Sequence, residues 1–73
     1  MQNATTTTPS QSPVDDATYD LLQALTSKLE AIEAYQMYAE DEEVREVFER
    51  LGRDEVEHAE VLLKALRERL GSR

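Results

Sequence analysis

The chain has 73 residues, a net charge of −8, 33% charged side chains, one histidine and no cysteine. This length allows one small domain, and the absence of cysteine gives no sign of an oxidising compartment, so the expected location is the cytoplasm. The strong negative charge disfavours nucleic acid and anionic membrane surfaces and suits a soluble protein, a cation-binding protein or a partner with a basic surface.

Met1 to Pro13 holds no Asp, Glu, Lys or Arg and runs through four threonines to Pro9 and Pro13. Such a stretch buries too little surface to offset the entropy of ordering, so residues 1–13 are predicted to be a disordered tail. It lacks the basic start and apolar run of a secretory signal. No segment approaches the roughly 20 apolar residues of a membrane span. Residues 14–73 are the expected folded unit, and a unit this small without disulfides often gains stability by oligomerising.

Val14 to Ala39 reads as the first helix. Asp15, Asp16 and Asp20 stand near its start, where the helix dipole favours negative charge. Its apolar stripe runs Leu21, Leu25, Lys28, Ile32, Tyr35, Ala39, with spacings of 4, 3, 4, 3 and 4, and Leu22 and Leu29 widen it. That period is helical, whereas a strand would alternate. Glu40 to Glu43 is the expected turn and opening of the second helix, with Asp41 as its N-cap. The second helix is expected to reach about Leu70, with Gly71 as its stop. Lys64, Arg67 and Arg69 complement its C-terminus, and Glu46/Arg50, Glu49/Arg53 and Glu60/Lys64 are spaced to pair on its outer face.

The stripe of the second helix runs Val44, Phe48, Leu51, Glu55, His58, Leu62, Ala65/Leu66, Arg69, flanked by Val47 and Val61. Gly52 is out of place by about 1 kcal/mol of helix propensity, which fits either close approach by a neighbour such as Tyr35 or a mild kink. The pattern therefore predicts an all-α fold: a two-helix antiparallel hairpin with one apolar face. A lone hairpin leaves that face in water, so a two-fold dimer forming a four-helix bundle is the economical arrangement.

Three polar residues interrupt the stripes: Lys28, Glu55 and His58. A turn at residue 41 lies about 13 residues from both Lys28 and Glu55, which puts all three in one layer. A Glu-x-x-His pair is a weak signal in a chain this rich in glutamate. Its position on the apolar stripe strengthens it, because charge there is costly unless paired or metal-bound. The plain structural reading is a polar layer that fixes how two hairpins meet. A second is that the stripe widens and Glu55 reaches solvent. Lys28 is the sole Lys or Arg in the first 44 residues, and Glu55 is its expected partner. Tyr35 lies seven residues beyond Lys28 on the same face, where its hydroxyl is placed to reach the layer. Tyr35 and Tyr38 also fit simple packing, while Glu30, Glu33 and Met37 point away from the stripe.

Leu29-Glu30-Ala31-Ile32-Glu33-Ala34-Tyr35 and Tyr38-Ala39, with Val44 to Phe48 and Arg53-Asp54-Glu55-Val56-Glu57-His58-Ala59, resemble the ferritin-like superfamily over about Tyr19 to Leu70. The resemblance is strongest to rubrerythrin-type and encapsulated-ferritin-type half-bundles. It implies a four-helix bundle, a dinuclear non-haem iron site, and oxidation of ferrous iron or reduction of peroxide. Within it, Glu55 and His58 match the metal ligands of the second helix and Tyr35 matches the tyrosine. The helix-one ligand glutamate falls on Lys28. A two-fold dimer then offers two Glu and two His, where the family's usual set has four carboxylates and two His. Two Lys28 ammoniums balance the two Glu55 carboxylates without metal.

Three functional readings follow. The first is a small homodimeric ferritin-like bundle with a partial or vestigial Glu/His metal site. In the second, Lys28 swings out and the protein works with iron or zinc; two Glu and two His suffice for one such ion. The third is a non-catalytic assembly module, or cargo packaged in a protein shell, with no cofactor and an internal salt-bridge layer. The Leu70-Gly71-Ser72-Arg73 terminus only faintly resembles a cargo-targeting peptide. Whether the chain is an enzyme, and which redox partner it would use, stay open at the level of sequence.

Overall fold

The computed structural model describes residues 12–71. Most of the expected disordered tail, up to residue 11, and the terminal Ser72-Arg73 lie outside the described residues. Two helices, α1 (Asp16–Tyr38) and α2 (Arg45–Gly71), pack against each other as an antiparallel hairpin, with no strand among the described residues. None of the described helices is long and apolar enough to cross a membrane.

α1 begins where Asp15 leaves helical geometry (φ −82°, ψ 173°) and its Oδ1 accepts the Thr18 amide at 2.9 Å. That satisfies one of the free N-terminal donors. The helix ends in tightened turns: Glu40 donates to the Met37 carbonyl and Asp41 to the Tyr38 carbonyl, both at 3.1 Å. α1 has no basic residue in its last turn. Arg45 supplies that charge from across the turn, its Nε donating to the Ala39 carbonyl at 2.9 Å and its Nη2 to Glu40 at 3.4 Å.

The second helix starts later than the sequence suggests. Asp41 Oδ1 accepts the Glu43 amide at 3.0 Å, and the Asp41 carbonyl accepts Val44 at 3.1 Å. The aspartate closes a local side-chain turn in place of capping a helix directly. The i to i+4 pattern begins with Phe48 donating to Val44. At the other end α2 runs through Gly71 without that glycine entering the left-handed region, so Gly71 is not the left-handed stop its composition suggested.

On α1 every residue of the expected stripe is half-buried: Leu21, Leu25, Lys28, Ile32, Tyr35 and Ala39. Leu22 and Leu29, at its edge, are exposed. On α2 the contact line is Val44, Phe48, Gly52, Glu55, Ala59, Leu62 and Leu66, and Ala59 and Leu66 are buried. Leu51 and His58, which the 4-3-4 spacing put on the stripe, stand beside this line and are exposed. Gly52 and Ala59 are more buried than their bulkier neighbours Leu51 and His58, so α2 turns its small residues toward α1. Near the turn, Tyr35, Tyr38 and Phe48 pack ring on ring, with centroids 5.0 to 6.2 Å apart.

The open end of the hairpin is closed by a clasp. Arg69 Nη2 meets Asp15 Oδ2 at 2.7 Å and its Nε donates to Thr18 Oγ1 at 3.3 Å. The hydrogen bonds from Thr18, with that from Arg69, lower the Asp15 pKa from 3.8 to about 2. The pairs Glu46/Arg50, Glu49/Arg53 and Glu60/Lys64 are not among the ion pairs found between described residues.

Candidate metal centre

Glu55 sits midway along α2 and faces Lys28, midway along α1. Lys28 Nζ stands 3.0 Å from Glu55 Oε1, and His58 Nδ1 reaches the same oxygen at 3.4 Å. The three residues that the sequence placed in one layer therefore meet around a single carboxylate oxygen. Their environments differ. The side chain of Glu55 is 17% exposed, that of Lys28 36%, and that of His58 59%.

The Lys28 ammonium, through its contact with the carboxylate, holds Glu55 below the usual carboxylate range, partial burial opposes this, and His58 adds to the lowering. Glu55 is thus an ionised acceptor between two nitrogen groups. With its proton on Nδ1, His58 donates to Glu55 and keeps the Nε2 lone pair, the form in which imidazole binds metals.

Tyr35 packs near the turn and not in this layer. Its ring lies against Phe48 and Tyr38, and no hydrogen bond from its hydroxyl to Glu55 or His58 is found among the described residues. Its Cβ stands 3.9 Å from the point where a Cβ on Gly52 would be. Tyr35 is therefore the neighbour above that glycine, at ordinary van der Waals distance.

The donor set can be tested against a dinuclear iron centre. No three His, Cys, Asp or Glu side chains converge on a common point among the described residues. One chain offers Glu55 and His58, and the Glu55 oxygen that faces His58 is already engaged by an ammonium. These residues do not fit a dinuclear iron site within one hairpin.

The hairpin carries a Glu-x-x-His at mid-helix, with Glu55 facing α1 and His58 exposed beside it. The rubrerythrin family model matches residues 20–73, and the chain belongs to the rubrerythrin family of the ferritin-like superfamily. No curated protein and no solved structure matches the chain. The sequence places Arg69 on the α2 stripe and at its C-terminus without revealing the clasp to Asp15, and it assigns no role to Thr18 or to the capping Arg45. The missing basic residue at the end of α1 was the one available signal for Arg45.

Proposed function

We propose that this chain is a small homodimeric, rubrerythrin-like bundle protein with a partial Glu55/His58 metal site, in which a Lys28–Glu55 ion pair takes the place of a full carboxylate set. The ion pair at 3.0 Å is the observation that carries this reading. It supplies by an ammonium the positive charge that a divalent metal would bring. Ferritin-like domains commonly oligomerise, and this hairpin buries only two apolar side chains among the described residues, Ala59 and Leu66. In a two-fold bundle closed over the His58 side, Leu51 and Val47 gain cover and the two Lys28/Glu55/His58 sets face one another. The layer then orients the two hairpins and stays neutral without metal.

A second reading, a working iron or zinc protein, draws on family membership and on the partial exposure of Lys28, which lets the ammonium turn out to solvent. Metal titration separates the two. The protein is mixed with Fe²⁺ or Zn²⁺, and bound metal and thermal shift are measured for wild type and for Lys28→Glu. On the proposed reading, wild type binds weakly and Lys28→Glu gains affinity while losing stability as apoprotein, because four carboxylates then crowd one layer. Stoichiometric metal on wild type favours the working site. Failure of Lys28→Glu to gain metal affinity sinks the idea that Lys28 occupies a ligand position.

A further inference from the structure

With Glu55 directed at α1, each residue along α2 turns by about 100°. Gly52 and Val56 therefore fall to one side of the contact line, and Leu51 and His58 to the other. On the Gly52 side a groove of about 390 Å³ opens between the helices. That volume lies within the roughly 300–1,000 Å³ of small-molecule sites. Ile32 and Tyr35 line it from α1, and Phe48, Gly52 and Val56 from α2. Tyr35 and Phe48 present a tilted aromatic pair, with centroids 5.4 Å apart, against which a further flat ring can pack face or edge on. The space above Gly52 is claimed by no bulky neighbour, since a Cβ there would meet Tyr35 Cβ at an ordinary 3.9 Å. At the rim stands Arg53. Its guanidinium makes no ion pair or hydrogen bond among the described residues, although Glu49 is one helical turn away.

We propose that this groove binds a small aromatic monocarboxylate, with its ring among Ile32, Tyr35, Phe48 and Val56 and its carboxylate on Arg53. Charge complementarity selects the ligand. A guanidinium takes a carboxylate on two parallel N–H groups, and the Gln36 side chain on the opposite wall offers a further amide donor. A cationic ligand would be repelled by Arg53, and a neutral apolar one would leave the guanidinium without a partner. Glu49, on the same wall, disfavours a second negative charge and so limits the ligand to one carboxylate. The chain's own segment 1–11 is a poor filler, since it holds no Asp or Glu to meet Arg53 and only Met1 and Ala4 as apolar residues. The site is complete within one chain. A bundle closed over the His58 side leaves it open, so it stands apart from the reading of the Glu55/His58 layer.

Titration calorimetry of the full chain with 2-naphthoate tests this, with the neutral 2-naphthalenemethanol as its control. Naphthoate is expected to saturate one site per chain with a Kd of about 1 mM or tighter. Amide shifts in the same titration are expected to centre on Tyr35, Gly52 and Val56. Arg53→Gln should weaken naphthoate by about tenfold and leave the alcohol unchanged. Gly52→Leu fills the groove and should abolish binding of both, with helical circular dichroism unchanged. Should Gly52→Leu lose helicity, Arg53→Gln, at an exposed position, carries the test by itself. Failure of naphthoate to saturate wild type, as a second copy of the chain seated in the groove would cause, overturns the proposal. So does an Arg53→Gln variant that keeps wild-type affinity, or an alcohol that binds wild type as tightly as naphthoate.

Discussion

Gly52→Ala is the sharpest probe of how α1 and α2 meet. A glycine in a helix interior costs about 1 kcal/mol relative to alanine. Steric need does not account for it within the hairpin: an alanine Cβ at this position would stand 3.9 Å from Tyr35 Cβ, a normal contact. The added methyl also covers some of the groove, and as the site is half-buried that adds a fraction of the roughly 0.8 kcal/mol expected for a fully buried CH₂ group. The expected result is stabilisation of about 1 kcal/mol, read as a rise in Tm of roughly 4–8 °C for a domain of this size. Thermal and urea melts followed by circular dichroism at matched protein concentration measure it, since association makes Tm depend on concentration. A fall in Tm would refute the reasoning that the surroundings of Gly52 within one hairpin set its tolerance. It would mean that a neighbouring chain needs the space above residue 52.

Three further outcomes are expected. The depressed Asp15 pKa contributes stability that is present above about pH 4 and lost as pH falls towards about 2, and Glu55 acts in the same direction. Asn is itself a good N-cap, so Asp15→Asn isolates the charge: it should melt below wild type at neutral pH, with the gap closing in acid. Arg45→Ala removes the cation from the carbonyls at the end of α1 and should cost about 0.3–1 kcal/mol, with faster amide exchange in the turn that follows. Leu66→Ala empties one of the two buried apolar positions and should cost about 2–5 kcal/mol in urea unfolding, the largest effect of the set.

The meeting of Lys28 and Glu55 was legible because it depends on arithmetic alone: a turn near residue 41 and two helices of constant rise put both side chains at one height. The stripe of α1 was legible for a similar reason, since its apolar residues recur without competition. The phase of α2 was not. Leu51 and Gly52 are adjacent, as are His58 and Ala59, and hydropathy favours Leu51 whereas the fold covers Gly52 and Ala59 more fully. Periodicity registers greasiness and is silent on how near two helices can come. The start of α2 was misjudged because an aspartate can close its own turn as readily as cap a helix. The roles of Arg45 and Arg69 arise from long side chains that reach 6 and 54 residues back along the chain, distances over which no local pattern carries information.

The hold of Arg45 on Ala39 and Glu40 makes loop length a determinant of chemistry. A one-residue insertion between Glu40 and Glu43 would leave every side chain of the polar layer in place in the sequence. It could be absorbed by Arg45 releasing the carbonyls, or by α2 rotating about 100° and advancing about 1.5 Å, which carries Glu55 off Lys28. A four-residue insertion nearly restores the angle and shifts the partner by one turn, bringing Leu51 towards Lys28. Among homologues of differing turn length, the identity of the residue opposite position 28 would therefore follow indels in the connection more closely than substitutions at the site itself.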